Sequence, residues 1–360
     1  MDVNTDFWRG RRVLVTGHTG FKGSWLSLWL QDMGAEVGGF ALAPPTQPSL
    51  YEAAHVGDGM HTVCSDVRGL DDVVATFAEF EPEVVMHLAA QPIVSRSFKD
   101  PVPTFDVNVM GVVNVLDAAR RSPSVRVIVN VTSDKVYENR ESPRGYRERD
   151  ALGGHDAYSA SKACSELVTA AYRRSFFNGP GTAAVATARA GNVIGGGDWG
   201  EDRLIPDIMK AALGGTTAAI RRPAAVRPWQ HVLNPLSGYL LLAERLWAAG
   251  DEFADAWNFA ADEDEAWPVG EVVDRLVELW GESIPVERGV QADFEETHYL
   301  KLDSSRARSG LGWVPGLRIE QALAAVVDWY REWGAGTDPR QLTVDQIRAY
   351  PAAAASRASA

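Results

Sequence analysis

Short apolar, β-branched runs alternate along this chain with longer stretches of helical periodicity. The runs predict strands over 12–16, 36–42, 84–88, 126–131 and 183–190, and the intervening stretches predict helices over 21–33, 70–81, 104–121 and 158–177. The strand runs are apolar on both faces, and the alternation of strand and helix implies a doubly wound parallel sheet, the Rossmann form of α/β architecture. From about Asn192 the pattern becomes irregular and rich in Gly, Pro and Trp, with helices expected over 205–213, 236–249, 269–280 and 319–333. This predicts a cofactor-binding domain over 1–190 that carries the catalytic residues, and a smaller mixed substrate-binding lobe over 191–350. The tail PAAAASRASA, 351–360, has no packing stripe and is expected to fray.

The 360 residues, 46% hydrophobic and 23% charged, suffice for one large or two intimately packed domains. The opening MDVNTDFWRGRR has no apolar segment, and no run approaches the roughly 20 apolar residues of a membrane span, so a cytoplasmic protein is expected. Only Cys64 and Cys164 are present, without metal-ligand spacing, and neither a disulfide framework nor a metal site is expected. A net charge of −13 disfavours nonspecific nucleic-acid binding, though clustered arginines can still hold an anionic small molecule.

Two motifs change the picture. In VLVTGHTGFKGSWL, from Val13, an apolar strand runs into Gly17, Gly20 and Gly23 and then into an apolar helix. Such spacing lets backbone N–H groups approach a pyrophosphate at a helix N-terminus, although an ordinary strand-to-helix turn reads the same way. In YSASK, Tyr158 and Lys162 stand four apart on one helix face. The ammonium is expected to stabilise phenolate, bringing Tyr158 down from about 10 so that it can take a proton from a sugar hydroxyl. Alone the pair reads as a solvated helix face; following a glycine-rich turn it reads as a dehydrogenase-type site.

Together with HLAAQP from His87, NVMG from Asn108, TSDKVYEN from Thr132, RAGNVIGGGDW from Arg189, RPWQHV from Arg227 and HYLKLD from His298, these motifs carry a resemblance. Over nearly its whole length the chain resembles the extended short-chain dehydrogenase/reductase family of nucleotide-sugar enzymes. The resemblance implies NAD held by Gly17, His18, Thr19, Gly20, Phe21, Lys22 and Gly23, with Tyr158 and Lys162 at the nicotinamide ribose. It places Asp66 and Val67 at the adenine edge, Leu88, Ala89 and Ala90 along the cofactor, and Asn108 as a brace for the adjoining loop. One departure is GGFALAPPTQ from Gly38, which lacks the usual acidic residue for the adenosine ribose and lacks an arginine for a 2′-phosphate. This implies NAD, held loosely. His18 and Lys22 either crowd the pyrophosphate or face solvent.

The same resemblance implies 4,6-dehydration of a nucleotide sugar, CDP-glucose foremost. Another nucleotide hexose, 4-epimerisation, or a non-catalytic NAD-binding scaffold are the alternatives. Ser133 would hydrogen-bond the substrate O4, while Asp134 and Lys135 would supply the acid and base that elimination across C5 and C6 needs. Related dTDP-glucose dehydratases carry Glu where Lys135 stands, so Lys135 serves as a base only if burial and nearby cations lower its pKa; otherwise it steadies the enolate. Arg189, Asn192, Arg203 and Arg227 would surround the nucleotide diphosphate, and Tyr299, Trp199 and Trp229 could stack on the ligand or fill the core. A homodimer or homotetramer packed through the helices over 104–121 and 158–177 is implied as well, with no nucleic-acid or membrane partner.

Overall fold

Seven parallel strands form the central layer of the computed structural model, which describes residues 3–142, 144–290 and 299–358. They are β1 (Arg12–Thr16), β2 (Glu36–Ala41), β3 (His61–Cys64), β4 (Val84–His87), β5 (Val127–Val131), β6 (Ala184–Arg189) and a final short strand, Ala256–Asn258. The spatial order is Ala256–Asn258, β6, β5, β4, β1, β2, β3, and every neighbouring pair is parallel. Alternate side chains feed opposite cores. Leu14, Val85 and Ile128 pack with Phe77 and Leu116, whereas Val13, Val15, Val84 and Val129 pack with Trp25, Leu26 and Leu240. Helices Leu70–Phe80 and Gly111–Arg121 therefore cover one face, and Phe21–Asp32 and Leu233–Phe253 the other.

The order reverses at β1, between β4 and β2, which opens a crevice at the carboxyl ends of β1 and β4. Gly17 follows β1 there with φ +76, and a Cβ on it would meet Ala89 N at 2.8 Å, so the turn admits no side chain. Residues 218–220, 226–228 and 230–231 build the second lobe as two-stranded pairs with 286–288, 266–268 and 193–194.

The observed elements differ from the expected ones in several places, three of which bear on the sheet, the site and the tail. Strands β3 and Ala256–Asn258 were not foreseen; HTVC and AWN are too short for a period to emerge. The expected helix over 104–121 is broken into Pro101–Phe105, a π-helical turn Asp106–Met110 and Gly111–Arg121. The tail expected to fray is helical through its described length. Helix Pro339–Ala358 runs through Pro351, because the alanines beyond it are strong helix formers and because Tyr350 and Arg357 dock on the body. Tyr350 Oη accepts from Gly316 N at 3.0 Å, and Arg357 reaches Pro315 O at 2.9 Å and pairs with Asp262 and Glu265.

Candidate active site

Helix Phe21–Asp32 begins at Gly20, and no side chain caps it, so its first-turn N–H groups are presented to a ligand. Gly23 is equally constrained: a Cβ there would lie 2.1 Å from Gly17 O. Thr16 Oγ1 accepts from the N–H groups of Leu88 and Ala89, each at 3.2 Å, and bonds His87 Nδ1 at 2.7 Å, locking the β1 and β4 ends together. Asn108 ties down the next loop, accepting from Gln91 N at 2.8 Å and donating to Gln91 O at 3.1 Å. The π turn that carries Asn108 leaves its carbonyl to Ser165 Oγ. These features form a cradle that fits a dinucleotide pyrophosphate.

Two residues of the glycine loop take unexpected positions. His18 does not face solvent; it is 2% exposed and lies over β2, so close that a Cβ on Gly39 would meet its ring at 2.6 Å. Burial holds its pKa down to about 4, so the ring is neutral near neutrality. Lys22 is held down to about 8, by burial first and then by the charge of Arg203, opposed by Asp134 and Asp198. Thr19 Oγ1 donates to Leu42 O at 2.9 Å, and Phe21 packs toward Gly195. Asp66 is engaged by Arg68 at 2.7 Å, and Val67 is buried beneath Gly111.

The second half of the site lies at the carboxyl end of β5. Ser133 caps a 3-10 turn, Asp134–Val136, by accepting from Lys135 N at 3.2 Å, and donates through Oγ to Asp134 Oδ1 at 2.9 Å. Asn192, at φ +49, donates to Asp134 Oδ2 at 3.3 Å, and a Cβ on Gly191 would lie 1.9 Å from that oxygen. Asn192 therefore seats Asp134, a role the sequence did not suggest. Helix Ala157–Phe176, capped by Asp156, presents Tyr158 and Lys162 beside them, both buried, and Tyr158 is hydrogen-bonded to Ser133.

The electrostatics run against one expectation. Tyr158 is not lowered: burial pushes it up to about 12, against the Ser133 hydrogen bond and the charge of Arg203. Lys162 is itself brought down to about 8 by burial and by Lys22, which weakens it as a cation. Its Nζ donates to Val131 O at 3.4 Å. Lys162 is deeply buried, whereas Lys135, whose role as a base depends on burial, is half-buried.

The arginines separate. Arg189 turns inward and is 3% exposed, its guanidinium forked onto Glu166 at 2.9 and 2.8 Å and bonded to Tyr137 Oη at 2.7 Å and Glu148 O at 3.1 Å. That geometry corrects its expected place at the diphosphate. Glu166 also accepts from Thr132 at 2.6 Å and Thr187 at 2.7 Å, a hub that nothing in the local sequence marks. Arg203 pairs with Asp198 at 2.9 Å and lies within electrostatic reach of Tyr158 and Lys22. Arg227 sits on strand Val226–Pro228 opposite Trp267, and Tyr299 bridges the same strand at Val226. Trp199 is core, packed edge-on to Tyr330, and Trp229 is buried, donating to Trp267 O at 3.3 Å. His298 lies outside the described residues.

A doubly wound sheet with a glycine-lined crevice, and with a buried Ser, Tyr and Lys at its carboxyl edge, has the layout of a short-chain dehydrogenase/reductase. The chain belongs to the GDP-mannose 4,6 dehydratase family, whose model matches residues 14–326. It is 47% identical over 343 residues to a CDP-glucose 4,6-dehydratase of Salmonella typhimurium, covering 93% of this chain and 95% of that protein. A dTDP-glucose 4,6-dehydratase of Shigella flexneri is 25% identical, covering 89% and 92%. Among solved structures, UDP-glucose 4-epimerase of Thermus thermophilus in complex with NAD superposes with TM-score 0.77 at 25% identity, over 89% of this chain and 99% of that one. A dTDP-glucose 4,6-dehydratase of Streptomyces venezuelae with NAD bound gives TM-score 0.77 at 25% identity, over 91% and 99%.

Proposed function

We propose that this protein is an NAD-dependent nucleotide-sugar 4,6-dehydratase that converts CDP-D-glucose to CDP-4-dehydro-6-deoxy-D-glucose and water. The observation that carries this reading is the carboxylate of Asp134 held against Ser133 beside Tyr158, an acid-base group beyond what oxidation at C4 requires. The 47% identity to a CDP-glucose 4,6-dehydratase supports the same chemistry and nucleotide. The crevice lined by Gly17, Gly20 and Gly23 would hold NAD, which would supply a hydride acceptor for C4 and, once reduced, a hydride donor for C6. Tyr158 takes the O4 proton and Ser133 orients O4. The ketone acidifies the C5 hydrogen, Lys135 serves at C5, and Asp134 protonates the departing O6. Lys162 and Lys22 bear on the cofactor side, and Arg203, Arg227 and Tyr299 on the nucleotide diphosphate and its base.

An exposed apolar face supports a homodimer. Val102, Phe105, Met110, Leu167 and Phe176 are 38 to 76% exposed and lie on the segment 101–121 and the helix Ala157–Phe176; Val102, Phe105 and Met110 line, with Cys164, a groove of about 460 Å³. Unpaired cysteines, and the lack among the described residues of any helix long and apolar enough to cross a membrane, suit a cytoplasmic deoxysugar-forming enzyme.

The test is incubation with NAD and a panel of CDP-, dTDP-, UDP- and GDP-hexoses, with product mass and reduced cofactor followed together. Loss of one water from CDP-glucose without net reduced cofactor is the expected result. Loss from another donor would overturn the nucleotide, and unchanged mass with altered stereochemistry would make the protein an epimerase.

A further inference from the structure

Dehydration takes a proton from O4 and places one on O6, while the C5 proton leaves and is later replaced. Asp134, the acid for O6, is met by a hydrogen-bond donor at each of its oxygens. Ser133 Oγ donates to its Oδ1 at 2.9 Å and Asn192 Nδ2 to its Oδ2 at 3.3 Å, so both oxygens are acceptors. Ser133, Asp134 and Tyr158 are 5%, 4% and 8% exposed, which leaves bulk water poorly placed to supply the missing proton.

The hydrogen-bond directions around Ser133 supply it instead. A hydroxyl has one proton and two lone pairs. The proton is aimed at Asp134 and one lone pair holds the Lys135 backbone N–H at 3.2 Å, so in its hydrogen bond with Tyr158 the Ser133 oxygen, its proton committed, can only accept. Ser133 is thus set to receive from Tyr158 and to give to Asp134. We infer that Ser133 relays the O4 proton from Tyr158 to Asp134, so that the water leaving C6 carries away the proton taken from O4.

The inference rests on the dehydratase reading, and its steps balance. As the C4–H pair leaves as hydride, the O4–H pair becomes the second bond of the C4 ketone and the proton passes to Tyr158. Tyr158 hands a proton to Ser133 Oγ as Ser133 releases its own to Asp134 Oδ1. When the C5 base removes the C5 proton, that bonding pair becomes the C5–C6 double bond. The C6–O6 pair then departs with O6, which takes the Asp134 proton and leaves as water. Tyr158, Ser133 and Asp134 each end in the state in which they began.

The experiment is a single turnover of the NAD-loaded enzyme with CDP-glucose, following the rise and fall of reduced cofactor by its near-ultraviolet absorbance. In Ser133→Ala the rise should slow modestly and the fall should slow roughly 10²- to 10⁴-fold, the range of a lost general-acid contribution. Ser133→Thr should restore both phases. In the wild type the fall should be flat with pH, whereas in Ser133→Ala it should drop about tenfold per pH unit, because the proton must then come from solvent. Infrared difference spectra at the maximum of reduced cofactor should show a protonated carboxyl that disappears in both Asp134→Asn and Ser133→Ala. A fall slowed no more than the rise, or a protonated carboxyl that survives Ser133→Ala, overturns the relay while leaving the dehydratase standing. Should the alanine variant not fold, the wild-type pH profile decides, and a tenfold drop per unit overturns the relay. Failure of the wild type to release water from any nucleotide hexose overturns the underlying reading instead.

Discussion

Lys162, on the helix Ala157–Phe176, lies within electrostatic reach of Lys22 in the glycine loop, and each is held near 8 by burial first and then by a neighbouring positive charge, Lys22 for Lys162 and Arg203 for Lys22. A lysine lowered in the folded state binds fewer protons there than when unfolded, so stability of the unloaded protein should rise with pH from about 8 to 10.5. An anionic pyrophosphate in the adjoining crevice would reverse that shift. Binding of NAD at pH 8 should therefore take up protons, read as a calorimetric enthalpy that varies with the ionisation enthalpy of the buffer, and Lys22→Met should reduce the uptake. A buffer-independent enthalpy would place both lysines away from the bound charge. Gly17, Gly20, Gly23, Tyr158 and Lys162 stood out only as two motifs taken together, since turn and helix geometry act over a few residues and each spacing alone has an ordinary reading. The direction of the Tyr158 shift was not legible, because it depends on how much solvent the second lobe and the loops exclude.

At the scale of secondary structure, Glu166 joins β5, β6 and the helix that carries Tyr158 through one buried carboxylate. Burial pushes Glu166 up, but the charge of Arg189 and the hydrogen bonds from Arg189, Thr132 and Thr187 bring it net below the ordinary range. Its contribution is present above the unfolded carboxyl pKa and is lost as pH falls through the lower folded value. Glu166→Gln should cost about 3–5 kcal/mol in denaturant unfolding, since it strands Arg189 without its counter-charge, and should flatten the acid limb of the stability profile. A loss below about 1 kcal/mol, the range of a surface pair, would show that the hub is solvated. Arg189 was read as a phosphate ligand because guanidinium suits phosphate and its motif looked functional. Its partner stands 23 residues earlier on another element, a distance that no local pattern spans. The π turn at Asp106–Met110 was hidden for a different reason: its sequence keeps helical periodicity while the backbone widens to serve Ser165.

Across the whole molecule, the C-terminal helix is tied by charge to the acidic segment 262–265. Arg357 pairs with Asp262 and Glu265, and Arg318 with Asp264 and Glu265, next to the strand Ala266–Pro268 that pairs with the strand bearing Arg227. Arg357→Ala should lower stability by about 1–3 kcal/mol, the cost of leaving a buried acceptor short of a donor. It should also raise the KM for the nucleotide sugar more than it lowers kcat, and Arg357→Lys should recover part of both; equal effects on KM and kcat would mean the tie does not reach Arg227. The alanine-rich tail hid this role, because low complexity was weighed above alanine's helix propensity. The parallel sheet and its crevice were legible, whereas the strand Ala256–Asn258, contributed to the sheet by the second half of the chain, was not. Its Asn258 is fully buried, accepts from Tyr137 Oη at 2.7 Å and donates to Tyr146 O at 2.8 Å. For anyone recombining this enzyme with a relative, a single crossover near residue 190 would graft a foreign edge onto β6 and pair Tyr137 with an untested neighbour. A working chimera has to inherit 256–258 together with the parental sheet, so specificity here is exchanged in two pieces of sequence rather than one.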